Sequence, residues 1–246
     1  AILIEADTGA ILYEKDCHSR AYPASTTKIM TSLLAIENSS LDDVITFSKA
    51  AANSYKWDEA NTGTREGEQF TMEQALYATL LKSANEVAYG IGEYIAGSIP
   101  AFSDMMNERA RELGALNTHF NNPNGLSDTN HYTTAYDLYL IFNECIKHDD
   151  FVKIINSSSY TAHITGADGT KRDVKWEPTN YYAKGEATPP DNVTIIGGKT
   201  GKKKGAGNCL ILLTKDSSGN PYISIIMGAG SKPLLYQDMT SMLSKI

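Results

Sequence analysis

Tyr22-Pro23-Ala24-Ser25-Thr26-Thr27-Lys28-Ile29-Met30-Thr31-Ser32-Leu33-Leu34-Ala35-Ile36 is the stretch from which the rest of the chain can be read. Ile29, Leu33 and Ile36 fall on one face at helical periodicity, with Met30 and Leu34 beside them, and Pro23 stands just upstream. The spacing predicts a helix over Ser25 to Ile36. Ser25 and Lys28, three residues apart at the start of that helix, share a face. A serine there sits where unpaired backbone N–H groups and the helix dipole favour an oxyanion. Serine alone is a weak nucleophile, and a lysine desolvated enough to be neutral takes its proton. About one SxxK is expected by chance in a chain this long, so the pair needs company before it means chemistry.

Upstream, Ile2 to Ala6 and Ala10 to Glu14 flank Asp7-Thr8-Gly9 and read as a hairpin. Downstream, Thr71 to Glu112 is helical with breaks at Lys82-Ser83-Ala84-Asn85 and Gly97-Ser98-Ile99-Pro100, and Thr71 with Gln74 has capping-box spacing. An Asn/Pro/Gly loop (121–125) precedes a helix from about Thr134 to Lys147. Then the character turns to strands: Tyr160 to Thr165 and Lys171 to Trp176 as a hairpin, then Val193 to Gly197, Cys209 to Thr214 and Tyr222 to Met227. A final helix is expected from about Pro233 to Leu243. Strands at both termini around a helical middle predict an α+β fold, one antiparallel sheet from the two chain ends flanked by helices. The expected organisation is a single unit over 1–246. It has sheet regions at about 1–50 and 178–246, a helical region at about 51–157 and a hairpin at about 158–177.

Composition narrows the function. With 246 residues, 41% hydrophobic and 21% charged, the chain is an ordinary globular sequence that needs no disulfide or metal staple. A net charge of −7 argues against a nucleic-acid binder working through a bulk basic surface. Cys17, Cys145 and Cys209 are odd in number and form no CxxC pair, which fits three buried, reduced thiols. The five histidines make no HExxH or close pair, so no metal is expected, and His131 reads as a hydrogen-bonded loop residue. Gly198-Lys199-Thr200 resembles the end of a phosphate loop, but Val193 stands where its first glycine is required.

Two more motifs give the Ser25/Lys28 pair its company. Ser83-Ala84-Asn85, in a break between helices, supplies a second hydroxyl and an amide; the same tripeptide pattern recurs at Ser218-Gly219-Asn220 in a hairpin turn, so alone it is cheap. Lys199-Thr200-Gly201 follows an apolar strand, where a lysine and a threonine can hold a carboxylate and the glycine lets a substrate backbone approach. SxxK, SxN and KTG in this order are the motif set of active-site-serine β-lactamases and penicillin-binding proteins. The chain resembles that superfamily, and within it the low-molecular-mass D-alanyl-D-alanine carboxypeptidases. The finer match also covers Asp7-Thr8-Gly9 with Leu12-Tyr13-Glu14, Asn122-Pro123-Asn124-Gly125-Leu126, His131 to Leu138, and Ala206 to Leu210.

The resemblance implies roles. Ser25 would attack the penultimate D-alanine carbonyl of a peptidoglycan pentapeptide stem and form an acyl-enzyme, with Lys28 as base. Ser83 would pass a proton to the leaving amine, Asn85 would anchor the substrate amide, and Lys199 and Thr200 would bind the terminal carboxylate beside Gly201. Backbone N–H groups of Ser25 and Lys202 would form the oxyanion hole. β-Lactams would trap Ser25, and no cofactor is implied. The implied setting is an exported, monomeric catalytic chain at the outer face of the cytoplasmic membrane, with any membrane anchor outside these residues. Two departures stand out. Lys202 replaces a more usual aromatic or histidine and heads Lys202-Lys203-Lys204, either a solvated loop or an attraction for anionic substrate. The stretch Lys232-Pro233-Leu234-Leu235-Tyr236 lacks the arginine that relatives use as a second carboxylate contact. A class A-like β-lactamase needs a deacylating glutamate, and none occurs between Glu112 and Glu144. A D,D-endopeptidase would use the same residues on cross-links.

Overall fold

Alternation decides which way each strand faces. In β1 (Ile2–Glu5), Ile2 and Ile4 point into one apolar core and Leu3 into another. The computed structural model describes residues 1–246. After β1 come β2 (Ile11–Glu14), a 3₁₀ turn (Ala24–Thr27), α1 (Lys28–Asn38), β3 (Val44–Thr46), α2 (Lys49–Ala52), β4 (Gln69–Thr71) and α3 (Met72–Tyr77). A π-helical turn (Ala78–Lys82) leads to α4 (Asn85–Ala96), α5 (Ile99–Glu112), α6 (Ala135–Cys145) and α7 (Asp149–Ile155). The chain closes with β5 (Tyr160–Thr165), β6 (Lys171–Trp176), β7 (Thr194–Lys203), β8 (Gly207–Lys215), β9 (Pro221–Ala229) and α8 (Lys232–Leu243).

The main sheet has the order β2-β1-β9-β8-β7, antiparallel throughout, so the two chain ends do build one sheet. Its central strands are apolar on both sides. Ile211, Leu213, Ile223 and Ile225 join the core under α1, α3, α4 and α6. Leu210, Leu212 and Ile226 join the core under α8, with Leu235, Met239 and Leu243. Each such side chain contributes roughly 1.5–3 kcal/mol by leaving water, which fixes the three-layer order of helices, sheet and helix.

The hairpin of Tyr160–Thr165 and Lys171–Trp176 forms with the expected bounds, whereas the expectation of one sheet is corrected. β5 and β6 belong to a second sheet, β3-β4-β5-β6, joined through Gln69 opposite Thr165. β3 and β4 have three residues each, too few to show alternation in the sequence. β7 also runs further than expected, through Lys203, so Lys202 and Lys203 are strand residues rather than loop. The Thr71/Gln74 capping box forms as its spacing predicts. All three cysteines are buried and free. No helix is long and apolar enough to cross a membrane.

The turn before α1 is clamped from outside. Gly125, at φ +84°, presses on it so closely that an added Cβ would lie 1.8 Å from the Ala24 carbonyl oxygen. Gly125→Ala is therefore expected to cost about 3 kcal/mol or more, from left-handed strain plus backbone overlap. Gly169→Ala, at φ +80° with nothing within 4 Å, should cost only about 1 kcal/mol. Urea unfolding of the two variants checks this; equal losses would contradict the clamp.

Candidate active site

Ser25 sits in the 3₁₀ turn that feeds α1, half-buried, directly after Ala24, which is held at φ +47°. Ser83 ends the π-helical turn, also left-handed, at φ +63°. A non-glycine residue in that region costs on the order of 1–3 kcal/mol. Only three occur in the chain, and two of them stand at the two predicted serine motifs. The wide turn delivers Ala84 N–H back to Ala78 O at 3.1 Å, and Asn85 N–H to Ala60 O at 2.9 Å.

Lys28, the first residue of α1, is fully buried. Its Nζ lies 3.0 Å from Ser25 Oγ, 2.7 Å from Asn85 Oδ1 and 2.7 Å from Asn124 O. Burial first, then the nearby Lys199 charge, push its pKa well below the usual lysine value, with Glu86 and Glu59 opposing. As an ammonium it offers three protons to three oxygens. As a neutral amine it keeps two N–H bonds to the carbonyl oxygens and turns its lone pair on the Ser25 hydroxyl. That is the geometry of a base held beside its nucleophile.

Lys199, 1% exposed, reaches Ser83 Oγ at 2.8 Å and Thr200 O at 2.9 Å, and burial lowers its pKa to about 7. The Thr200 hydroxyl lies 2.6 Å from that of Thr179. Ser25, Ser83, Thr200, Gly201 and Lys202 line one cavity of about 240 Å³, together with Lys232 and Tyr236 from the start of α8. The glycine of KTG is also tightly packed: a Cβ there would meet Pro23 O at 3.0 Å and Ser25 N at 3.2 Å. Its missing side chain lets β7 approach the turn that carries Ser25.

All eight predicted residues therefore converge, and Ser218-Gly219-Asn220 stays in the exposed turn between β8 and β9. Thr179 and Lys232 escaped sequence reading. Both line the cavity from outside the three motifs, Lys232 as a cation at the start of α8. His131 bonds Thr27 Oγ1 through Nε2 at 2.8 Å and accepts from Asn121 N–H through Nδ1 at 2.9 Å, which ties the 121–131 loop to the motif.

A family model described as D-alanyl-D-alanine carboxypeptidase matches residues 1–231. The chain belongs to that family. Among curated members it is 31% identical to the D-alanyl-D-alanine carboxypeptidase DacF of Bacillus subtilis (strain 168), over 99% of this chain and 60% of the relative. To the D-alanyl-D-alanine carboxypeptidase of Streptomyces sp. (strain K15) it is 30% identical, over 96% and 82%. The crystal structure of the Streptomyces K15 DD-transpeptidase superposes with a TM-score of 0.91 at 27% identity, covering 99% of this chain and 94% of that one. The chain thus spans about three fifths of the length of its Bacillus relative. Within the family fold, the SxxK, SxN and KTG segments meet in the cavity just described.

Proposed function

We propose that this chain is a serine D,D-carboxypeptidase that removes the terminal D-alanine of peptidoglycan stem peptides and is acylated by β-lactams. The observation that supports it most is the buried Lys28, held between Ser25, Asn85 and Asn124. Ser25 Oγ attacks the penultimate D-alanine carbonyl, and its proton passes to Lys28 Nζ. The oxyanion forms beside the backbone N–H groups of Ser25 and Lys202. The C–N bond then breaks, the leaving amine takes a proton by way of Ser83, and free D-alanine departs. Water attacks the ester, gives its proton to Lys28, and the Ser25 hydroxyl is restored. Asn85, whose Oδ1 is taken by Lys28, keeps its N–H donors for the substrate amide. Lys199, Thr200 and Lys232 hold the terminal carboxylate.

The enzyme would act outside the cytoplasmic membrane, where its substrate lies, as one catalytic unit over 1–246. Between Glu112 and Glu144 the carboxylates are Asp128 and Asp137, and Asp137 is already bonded to Asn117 N–H and Thr118 Oγ1. None is bonded to Ser25 or Lys28, which supports slow release of β-lactam adducts rather than β-lactamase turnover. Similarity to the Streptomyces K15 enzyme, a DD-transpeptidase, favours a second reading, in which an amine acceptor replaces water. D-Alanine release from a diacyl-Lys-D-Ala-D-Ala peptide, with and without an amine acceptor, and cephalosporin turnover test the three. Hydrolysis that predominates over aminolysis is expected. Fast multiple turnover of the cephalosporin without D-alanine release would contradict the proposal.

Protonation supplies a sharper expectation. Carboxylate capture needs charged Lys199, so kcat/KM should fall as pH rises through about 7 for peptides ending in a carboxylate. Peptides ending in an amide should lack that alkaline limb. A limb shared by both would contradict the role of Lys199.

A further inference from the structure

The order of residues along β7 gives the cleft a direction. Lys199 and Thr200 mark the carboxylate end, and Gly201 abuts Ser25 at the reacting carbonyl. Lys203, two residues beyond Gly201 and four beyond Lys199, points to the same side of the strand as both, roughly 7 Å past Gly201 at about 3.3 Å per residue. β7 is an edge strand, free to align an extended substrate. Lys203 therefore faces the acyl part of the substrate, where the third residue of the stem peptide lies.

There Lys203 Nζ meets Glu59 Oε1 at 2.5 Å, across from β7. Glu59 is 11% exposed and Lys203 30%. The Glu59 loop is firmly built. Its Oε2 accepts from Lys56 N–H at 2.9 Å, and its backbone oxygen from Asn61 Nδ2 at 2.7 Å. The loop is in turn fastened to α4, where Glu86 Oε1 accepts from Thr62 N–H, Thr62 Oγ1 and Thr64 N–H. Burial works against the Glu59 charge, but Lys203 and Lys56 outweigh it and hold the pKa below the usual carboxylate value. Lys202 and Lys204 lie exposed on either side.

We infer that Glu59 and Lys203 form a specificity site for a third stem residue whose side chain ends in both an ammonium and a carboxylate. The inference rests on the carboxypeptidase reading and names the substrate class of that same cleft. A side chain entering here must separate the pair, and each partly buried charge left alone is costly. A neutral side chain strands both charges, and a simple amine re-pairs Glu59 only. A diamino diacid re-pairs both, its ammonium on Glu59 and its carboxylate on Lys203, with Lys202 and Lys204 adding attraction for the carboxylate.

The test compares D-alanine release from three pentapeptides: the diamino diacid form, its side-chain carboxamide and its side-chain N-acetyl derivative. Wild type should favour the first by about tenfold or more in kcat/KM over each of the others. Lys203→Gln should erase the preference over the carboxamide and keep that over the N-acetyl peptide. Glu59→Gln should do the reverse. A pair that only braces the loop would lower all three peptides by one factor in either variant, which would overturn the inference. Equal rates of wild type on all three would overturn it too. If wild type released no D-alanine from any of them, the carboxypeptidase reading would fall and the inference with it.

Discussion

Ser25→Ala should leave a folded protein that neither releases D-alanine nor carries a penicillin adduct. The substitution removes one oxygen from a half-buried turn position. That oxygen caps no helix, and its single side-chain partner is Lys28. Stability should therefore change little, within the few tenths to 1 kcal/mol of a lost hydrogen bond. Catalysis should lose on the order of 10⁶, the cost of removing a nucleophile from an acyl-transfer site. Lys28, deprived of a proton to take, cannot compensate. Intact mass after incubation with a penicillin, beside a melting curve, reads both parts. A labelled variant would place the nucleophile elsewhere.

Lys28→Met should be the next most damaging change. Methionine fills the aliphatic volume but has no lone pair for the Ser25 proton, so acylation should slow by about 10³–10⁴. It also strands Asn85 Oδ1 and Asn124 O, each without its 2.7 Å donor. Two such orphaned acceptors predict a stability loss of roughly 2–4 kcal/mol, partly offset because a buried amine no longer has to be desolvated. The decisive readout is the pH profile. Wild-type acylation should rise with pH as Lys28 becomes neutral, at lower pH than an ordinary lysine would, because burial and Lys199 depress its pKa. The variant should lose that limb. A variant that keeps it would assign the base to another group.

Much of this was legible because it depends on local chemistry. The apolar spacing after Ser25, the capping box at Thr71 and the break at Lys82–Asn85 each arise within a few residues, and the elements follow them. The meeting of residues 25, 83 and 199 was legible only through motif order. β3, β4 and the four-residue α2 were not, since three or four residues carry no period. Thr179 and Lys232 line the cleft through tertiary packing of segments with no signature of their own. Glu59 was invisible for the same reason: its importance comes from a loop that reaches across to Lys203, far away in sequence. The lysine run, by contrast, divided into strand residues Lys202 and Lys203 and a turn residue Lys204 once β7 was seen to continue through the motif.

The central claim is that Ser25 is the acylated residue of a D-Ala-D-Ala-directed site. Its most direct test is intact mass after mixing the wild-type chain with a penicillin, followed by peptide mapping. One adduct per chain, slow to hydrolyse and carried by the peptide containing Ser25, is the predicted result. No adduct, or an adduct on another residue, would contradict the account.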